Sequence, residues 1–290
     1  MAISTAKSHY FQSVKRKKKI SQIIVTIVLL TGSIVILSPL WWMISTSLKS
    51  MTEVMHFPPT FYPKEIHLEN YVDAIKAFPF FRYALNTLFI TFFVVIGNVL
   101  CNTFVAYGFA KIQFRGKNLL FAIVLATMMI PPFLTMIPQY IIFTKLNWMN
   151  SYLPLIVPSF FGSAFFIFLL RQFFMGIPND YVEAAKIDGA NHFYIWWKIA
   201  VPMAKPAIAT VAIFSFNGAW NDFVGPLLYV NDESLYTLQI GLATFKEQIS
   251  VQWNYLMAAS LLVITPVVLL FFAFQRYFIE GMDITAGRKI

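Results

Sequence analysis

The sequence has few charged residues for its length. Of its 290 residues, 12% are charged, 58% are hydrophobic, and the mean hydropathy is +0.66. A soluble domain carries about a quarter charged residues. The shortage therefore argues against an ordinary water-soluble fold and indicates a chain that lies mostly in a lipid bilayer.

Cysteine and reactive motifs are also scarce. The single cysteine, Cys101, lies in a hydrophobic run and has no partner for an internal disulfide, so it is interpreted as a packing residue. The sequence contains no H-E-x-x-H, G-x-S-x-G or Walker-type glycine motif, and its four histidines are scattered. We therefore expect no catalytic residues, no metal site and no enzyme activity. A membrane-bound enzyme or scaffold is the least favoured interpretation.

Six hydrophobic runs are long enough to cross the bilayer, which takes about 20 helical residues. They cover residues 20–45, 84–107, 119–143, 153–173, 207–229 and 255–277. Because backbone groups in lipid must be hydrogen-bonded internally, each run is predicted to be a helix. The expected fold is an all-α polytopic membrane protein with six transmembrane helices. Residues 1–19 form a basic tail, and residues 20–290 form the transmembrane domain.

Basic residues predict the orientation of these helices. With the N-terminus inside, most of the 22 lysines and arginines fall in the tail, the inner connections and the C-terminal end. Cytoplasmic connections are enriched in these residues, so both termini are predicted to be cytoplasmic. The basic tract at residues 15–19 could bind nucleic acid or anionic lipid, but beside the first span it is interpreted as a topology anchor. The run after it is too long for a cleavable signal.

The predicted spans have almost no ionisable side chains away from their ends. Asp222, late in the fifth span, is the exception. Transporters driven by protons or sodium use such groups, or broken helices in repeated halves, and no internal repeat is visible. If this bundle moves a solute uphill, a partner must supply the energy.

A short charged segment separates the fourth and fifth spans. Pro178 ends the preceding helix, and one of the next two residues is expected to cap a new one. That helix is predicted over residues 181–188, with Gly189 in a left-handed conformation at its end. A second short helix is predicted over residues 191–200. The segment 176–206 is therefore expected to form a helix–turn–helix on the inner membrane face.

Glu183 and Lys186 lie one turn apart in the first of these helices. Taken alone, the pair is typical of a solvated surface helix with an internal ion pair. The surrounding residues resemble the E-A-A-x-x-D-G-A loop of ABC importer permeases, a coupling element held in a cleft of the ATPase subunit. The matching residues are Glu183, Ala184, Ala185, Asp188, Gly189 and Ala190.

The resemblance extends from about residue 20 onward and points to the carbohydrate-uptake branch, in particular to the smaller maltose-type permease. It includes Trp220-Asn221-Asp222-Phe223. It implies a second, non-identical permease, two ATPase subunits that hold ATP and Mg²⁺, and an extracellular or periplasmic sugar-binding protein. It also implies a bacterial cytoplasmic membrane location in contact with lipid, with no cofactor in this chain and no nucleic acid partner. The ending departs from the family pattern, because residues 283–284 separate Gly281-Met282 from Thr285 and the chain closes with Arg288-Lys289-Ile290.

Asn217, Trp220 and Asn221 are spaced at i, i+3 and i+4, which predicts one polar and aromatic helix face. This face could line the solute path, although hydrogen bonds between helices explain the two asparagines equally well. The external loop 231–254 approaches the binding protein by resemblance, or is a mobile connector. A sugar or oligosaccharide is the favoured cargo. Glycerol phosphate or a related polar solute is the alternative, but the spans show no basic face for a phosphate.

Overall fold

A computed structural model describes residues 2–248 and 252–285, with side chains described over residues 19–243 and 252–275. Within these ranges, all regular secondary structure is helical, so the predicted all-α class is confirmed. The chain divides into two compact units, which are described in turn.

The first unit comprises Met1–Ala74 and Gln252–Leu261. Its long helix α1 (Ala2–Ser47) includes the first hydrophobic run, and two short helices, α2 (Met51–Val54) and α3 (Glu69–Lys76), follow.

Buried Asn70 fixes the turn after α1. Its amide nitrogen donates hydrogen bonds to the carbonyls of Ser47 and Lys49, each at 2.9 Å. Ser50 then caps α2, because its hydroxyl accepts a hydrogen bond from the Glu53 N–H at 3.3 Å. The connection that follows the first span is therefore an ordered element.

The second unit comprises Ile75–Val251 and Leu262–Ile290. Its elements in chain order are α4 (Phe80–Lys111), α5 (Lys117–Thr127), α6 (Pro132–Lys145), α7 (Leu153–Ile156), a 3₁₀ turn (Val157–Phe161), α8 (Ala164–Gly176), α9 (Asn179–Ile187), α10 (His192–Ile195), a π-helical turn (Trp196–Ala200), α11 (Val201–Met203), α12 (Lys205–Trp220), α13 (Val224–Tyr229), a second 3₁₀ turn (Glu233–Leu235) and α14 (Leu238–Gln248). Helix α4 packs against α8, α12 and the first 3₁₀ turn, so it is the central helix of this unit.

The last helix, α15 (Trp253–Thr285), contains the sixth hydrophobic run. The unusual spacing before Thr285 is therefore accommodated in a helix. The predicted departure at Arg288-Lys289-Ile290 lies outside the described residues.

Four stretches of the described chain are long and apolar enough to cross a membrane. They are Lys19–Ser47, Phe80–Lys111, Leu153–Gly176 and Trp253–Gln275. Two bent pairs raise the number to six if each pair is one span: α5 with α6, bent by 97°, and residues His192–Met203 with α12, bent by 83°. The chain is a multi-pass membrane protein, and the count of six stays a prediction.

Three of the predicted spans are interrupted rather than continuous. The third bends before α6, where Pro131 precedes Pro132, because proline lacks a backbone donor and disfavours a helical residue before it. The fourth passes through a 3₁₀ turn and then through Gly162, whose φ is +89°. The fifth ends its first helix at Trp220 and resumes at Val224.

Helix α4 approaches the first 3₁₀ turn closely at Gly97. A Cβ atom at this position would clash with the hydroxyl of Ser159 and the ring of Phe160. Small residues allow such close approach of backbones inside membranes, where packing rather than hydrophobic burial holds helices together.

Candidate coupling element and solute cavity

Helix α9 begins differently from the prediction. Pro178 occupies the N-cap position with extended backbone angles, and no side chain caps the helix. The expected capping by Asn179 or Asp180 is therefore wrong. Both residues lie within the first turn, since proline can precede a helix but cannot continue the one before it.

The end of α9 agrees with the prediction. Gly189 has φ of +83°, and its N–H donates to the carbonyl of Lys186 at 3.0 Å. The N–H of Ala190 donates to the carbonyl of Ala185 at 2.9 Å. These two bonds form a Schellman motif, which ends a helix sharply and satisfies its last carbonyls.

One face of α9 is buried and the other is open. Val182 and Ala185 are buried in the core of the second unit. Ile187 is 87% exposed and Tyr181 is 53% exposed. The exposed side of α9 therefore carries two large apolar side chains among its charged residues.

Glu183 lies on the exposed side of α9 and is not paired with Lys186. Among the side chains that the structure describes, one ion pair is found, between His67 and Glu69. The internal pair that would account for Glu183 as a solvated surface residue is therefore not formed. Its carboxylate is available to a basic group of another protein.

Two side chains of α4 anchor this element. Lys111 donates from its ammonium group to Asn179 Oδ1 at 2.8 Å and also to the carbonyl of Ile177. One turn earlier, the Tyr107 hydroxyl is 3.0 Å from His192 Nδ1. Both short helices of the segment are thus bonded to the same central helix.

The second helix of the segment is shorter than predicted. Asn191 caps it by accepting a hydrogen bond from the Tyr194 N–H at 2.8 Å, and the α-helix ends at Ile195. A π-helical turn replaces the expected α-helix over Trp196–Ala200. Such turns are rare and occur often at functional sites.

Trp220 is buried in the second unit. It is 5% exposed, its indole nitrogen donates to the carbonyl of Val263 at 3.0 Å, and its ring stacks on Phe216 at 5.3 Å. Its partners in the core are Tyr83 and Leu238. This geometry is that of a packing residue, and a role for Trp220 in the solute path stays a prediction.

Asn217 and Asn221 are exposed and bonded to each other. The amide nitrogen of Asn221 donates to the Asn217 side-chain oxygen at 2.8 Å, and Gln239 donates to Asn221 at 3.3 Å. The three predicted path residues do not act as one face, because Trp220 turns into the core. A contact between the asparagines and solute stays a prediction.

A cavity of about 270 Å³ lies between α4, α12 and the elements that flank them. Its polar lining residues are Thr87, Asn98, Ser215, Asp222 and Thr237. The side chains of Ser215 and Thr237 are each 4% exposed, and their hydroxyls have no hydrogen-bond partner in the described part of the chain.

Asp222 faces this cavity from the break between α12 and α13. Its carboxylate accepts a hydrogen bond from the Gly225 N–H at 3.0 Å, which holds it at the start of α13. A carboxylate and an amide at this cavity can bind the hydroxyl groups of a polar solute.

A sequence signal for this cavity existed. Ser215, Gly218, Ala219 and Asp222 recur at helical spacing and all line it. The sequence analysis identifies Asp222 as the ionisable residue of the spans but assigns the path to the face that contains Trp220.

The first part of the loop 231–254 is firmly held by hydrogen bonds from α4. Asn86 on α4 donates to the carbonyls of Ser234 and Tyr236 at 3.0 and 2.9 Å, and Arg82 donates to that of Ser234 at 2.8 Å. Hydrogen bonds from the side chain and the N–H of Ser234 hold the pKa of Asp232 below its usual value. The loop begins as an anchored segment and continues as α14.

These features are those of a multi-pass membrane protein with an exposed, anchored helix and a polar cavity. Residues 102–284 match the family described as binding-protein-dependent transport system inner membrane component. The chain belongs to this family, whose members are membrane components of transporters rather than enzymes.

Similar proteins come from several import systems. The chain is 33% identical over 249 residues to an arabinooligosaccharides transport system permease protein of Halalkalibacterium halodurans, covering 85% of this chain and 89% of that protein. It is 30% identical to an sn-glycerol-3-phosphate transport system permease protein of Yersinia enterocolitica, covering 88% and 94%. A crystal structure of a bacterial ABC transporter involved in import of the acidic polysaccharide alginate is similar at 26% identity and a TM-score of 0.80, covering 91% and 98%.

Proposed function

We propose that this chain is one of two non-identical permease subunits of an ATP-driven, binding-protein-dependent importer for a sugar or an oligosaccharide. Two ATPase subunits hold ATP and Mg²⁺ on the cytoplasmic side, and a sugar-binding protein delivers the solute from outside. The chain crosses the bacterial cytoplasmic membrane six times, with both termini in the cytoplasm.

The exposed face of α9 carries the proposal. The Ile187 side chain is apolar and 87% exposed. At a surface that faces water rather than lipid, this exposure costs free energy. Burying an isoleucine side chain stabilises an interface by about 1.5–3 kcal/mol. A contact from the Glu183 carboxylate to a basic group would add a charge-assisted hydrogen bond. The coupling residues are Glu183, Ala184, Ala185, Asp188, Gly189 and Ala190.

Anchoring makes this helix suitable for transmitting motion. The hydrogen bond from Lys111 to Asn179 ties the start of α9 to α4. The Schellman turn at Gly189 ends α9 sharply, and the next helix is bonded to α4 through His192 and Tyr107. When ATP closes the ATPase pair, a helix seated in one ATPase subunit moves as a rigid body. That displacement passes directly to α4, which lines the cavity, and alternates its access between the two sides.

The cavity favours a sugar over a phosphorylated solute. Phosphate groups bind where arginine or lysine side chains offer charged donors. The described residues that line the cavity include Asp222 and no basic side chain. Carboxylate and amide groups suit the neutral hydroxyl groups of a sugar, so glycerol phosphate is the second candidate.

Replacing Ile187 by Asp tests the coupling role. Loss of its burial and addition of a charge should weaken retention of the ATPase subunits at least tenfold. The purified complex is examined by size-exclusion chromatography, and sugar-stimulated ATPase is measured in proteoliposomes. Ile66→Asp is the matched control, because Ile66 is 68% exposed on the external connection. Equal retention and equal stimulation in both variants would show that α9 is not the coupling helix.

A further inference from the structure

Cationic side chains lie close together where α4 ends and α5 begins. The ammonium group of Lys117 donates to the carbonyl of Ile112 at 3.0 Å, and the Nε–H of Arg171 donates to the carbonyl of Phe109 at 3.3 Å. Lys111 is the last residue of α4. Lys117 is near enough to both of the other cations for their like charges to repel. Three positive charges therefore surround the last turn of α4.

Aromatic rings hold Arg171 in place. Its guanidinium carbon lies 4.0 Å from the centroid of the Phe121 ring, which is a cation–π contact. The Phe121 ring in turn contacts that of Phe109 at 5.4 Å between centroids, and Phe109 contacts Phe114 at 6.2 Å. The planar guanidinium is therefore already oriented, so little side-chain freedom is lost when it binds a ligand.

The end of α4 balances only part of this positive charge. The free carbonyls at the end of a helix are equivalent to about half of one negative charge. Lysine and arginine side chains often bond to such carbonyls, and this is the purely structural role for the cluster. Half of a charge does not balance three cations, and none of the three forms an ion pair with another side chain that the structure describes. Net positive charge therefore remains at this turn.

Hydrogen-bond donors also remain available. A guanidinium group has five N–H donors, and the bonded one of Arg171 is its Nε–H, so its two terminal nitrogens are left for a ligand. Arg115 lies in the connection between α4 and α5 and is exposed. The fork of an arginine side chain matches two oxygen atoms of a phosphate group. The cluster is therefore suited to an oxyanion.

The cluster lies at the edge of an exposed apolar surface. Leu119 is 68% exposed, and Ile123, one turn further along α5, is also exposed. This apolar side of the helix begins two residues after Lys117, which is about 3 Å along the axis. Phe114, just before α5, is exposed as well. Cations next to an apolar surface at the end of a membrane helix lie at the depth of the lipid headgroups.

We propose that Arg171, Lys117 and Arg115 form a binding site for the phosphate group of an anionic phospholipid. Arg171 binds two phosphate oxygens through its terminal nitrogens, and the other two cations add attraction. The acyl chains lie along the exposed side of α5, beside Leu119 and Ile123. A zwitterionic phospholipid carries the same phosphate together with an ammonium group, so its attraction to the site is weaker. The site goes beyond solute import and does not depend on the cargo.

Arg171→Gln and Lys117→Gln are the test variants. Each removes one positive charge near the membrane surface and keeps a polar side chain, so the affinity for an anionic phospholipid should fall about fivefold. Arg171→Lys keeps the charge but loses the fork, and it should bind better than Arg171→Gln and less well than wild type. Lys198→Gln is the matched control, because Lys198 is an exposed lysine of the same unit that also forms no ion pair with a described side chain.

Binding is measured on the whole transporter complex in detergent by native mass spectrometry, titrated with phosphatidylglycerol. Phosphatidylcholine is the zwitterionic probe, and inorganic phosphate is added as a competitor. We expect wild type and Lys198→Gln to prefer phosphatidylglycerol, and this preference to shrink in both test variants and on addition of salt. Thermal unfolding of each complex shows whether it remains folded. Lys117→Gln decides the result if Arg171→Gln proves unstable through loss of its contact with Phe121.

Four results would overturn the proposal. Equal retention of the two phospholipids by wild type would show that the cluster does not select anionic lipid. An equal loss in Lys198→Gln would show a general attraction of basic residues to lipid rather than a site. Displacement of the lipid by inorganic phosphate at equal concentration would indicate a site for free anions. Release of the ATPase subunits from the test variants, with lipid retention unchanged, would show that the cluster binds an acidic protein surface instead.

Discussion

Gly189 offers the sharpest test of the coupling element, because the cost of changing it comes from one source. A Cβ atom at this position would meet nothing within 4 Å, so steric clash inside the chain is absent. Its φ of +83° is the remaining constraint. A side chain in this left-handed region costs about 1–2 kcal/mol for an ordinary L-residue.

A variant chain can avoid this backbone strain by opening the turn at residue 189. Opening it breaks the two hydrogen bonds of the Schellman motif, at 3.0 and 2.9 Å, each contributing about 0.5–1.5 kcal/mol. The two routes cost about the same, so Gly189→Ala should lower the population of the native turn by about five- to thirtyfold. Gly189→Val should be worse, since β-branched residues rarely adopt positive φ, and Gly189→Asn should be mildest.

The assay is the ATPase activity of the reconstituted complex, with and without sugar-loaded binding protein, together with uptake. We expect stimulation to fall in the order glycine, asparagine, alanine, valine. Gly176→Ala is the matched control, because Gly176 has open space for a Cβ and no positive φ. If asparagine is as damaging as valine, space in the ATPase cleft rather than backbone conformation governs this position. If all three variants match wild type, the turn has no part in coupling.

Three further outcomes are expected. Lys111→Met should lower uptake per ATP hydrolysed while leaving the ATPase subunits bound, because it frees one end of α9; unchanged coupling would exclude the anchor. Trp220→Ala should lower the free energy of unfolding by about 3–5 kcal/mol, with a lower Tm, and Trp220→Phe should recover much of it; a stable alanine variant with impaired uptake would favour a path role instead. In a Cys101→Ser background, Ile187→Cys should react with an impermeant thiol reagent only from inside and Phe57→Cys only from outside. Both positions are highly exposed, at 87% and 89%. Labelling of both variants from the same side would refute the orientation.

Local sequence rules predicted the end of α9 because few residues decide it. Gly189 adopts the left-handed conformation expected of it. The start of α9 was missed, since capping preferences describe side chains and here the backbone of Pro178 fills the N-cap position. The all-α class was predictable from hydrophobic run length alone, because a bilayer leaves few other choices.

The orientation of Trp220 was not predictable from helical spacing. The spacing places it beside Asn217 and Asn221, but a helix face is about 100° wide and its edge can turn either way. A buried acceptor decides the direction, namely the carbonyl of Val263, which lies 43 residues further along the chain. Helical periodicity describes neighbours within one helix, so it cannot predict a hydrogen-bond partner this far along the chain.

The broken helices locate the solute cavity for a physical reason. Non-helical backbone at membrane depth is tolerated where it is buried in protein or lines a water-filled cavity. Two of the three interrupted spans contribute residues to the same cavity, Leu155 and Phe166 from the fourth, and Asp222 and Pro226 from the fifth. Prediction of continuous helices thus failed where irregular backbone frees polar groups to face a solute. The breaks therefore coincide with the proposed solute cavity, where departures from local rules are expected.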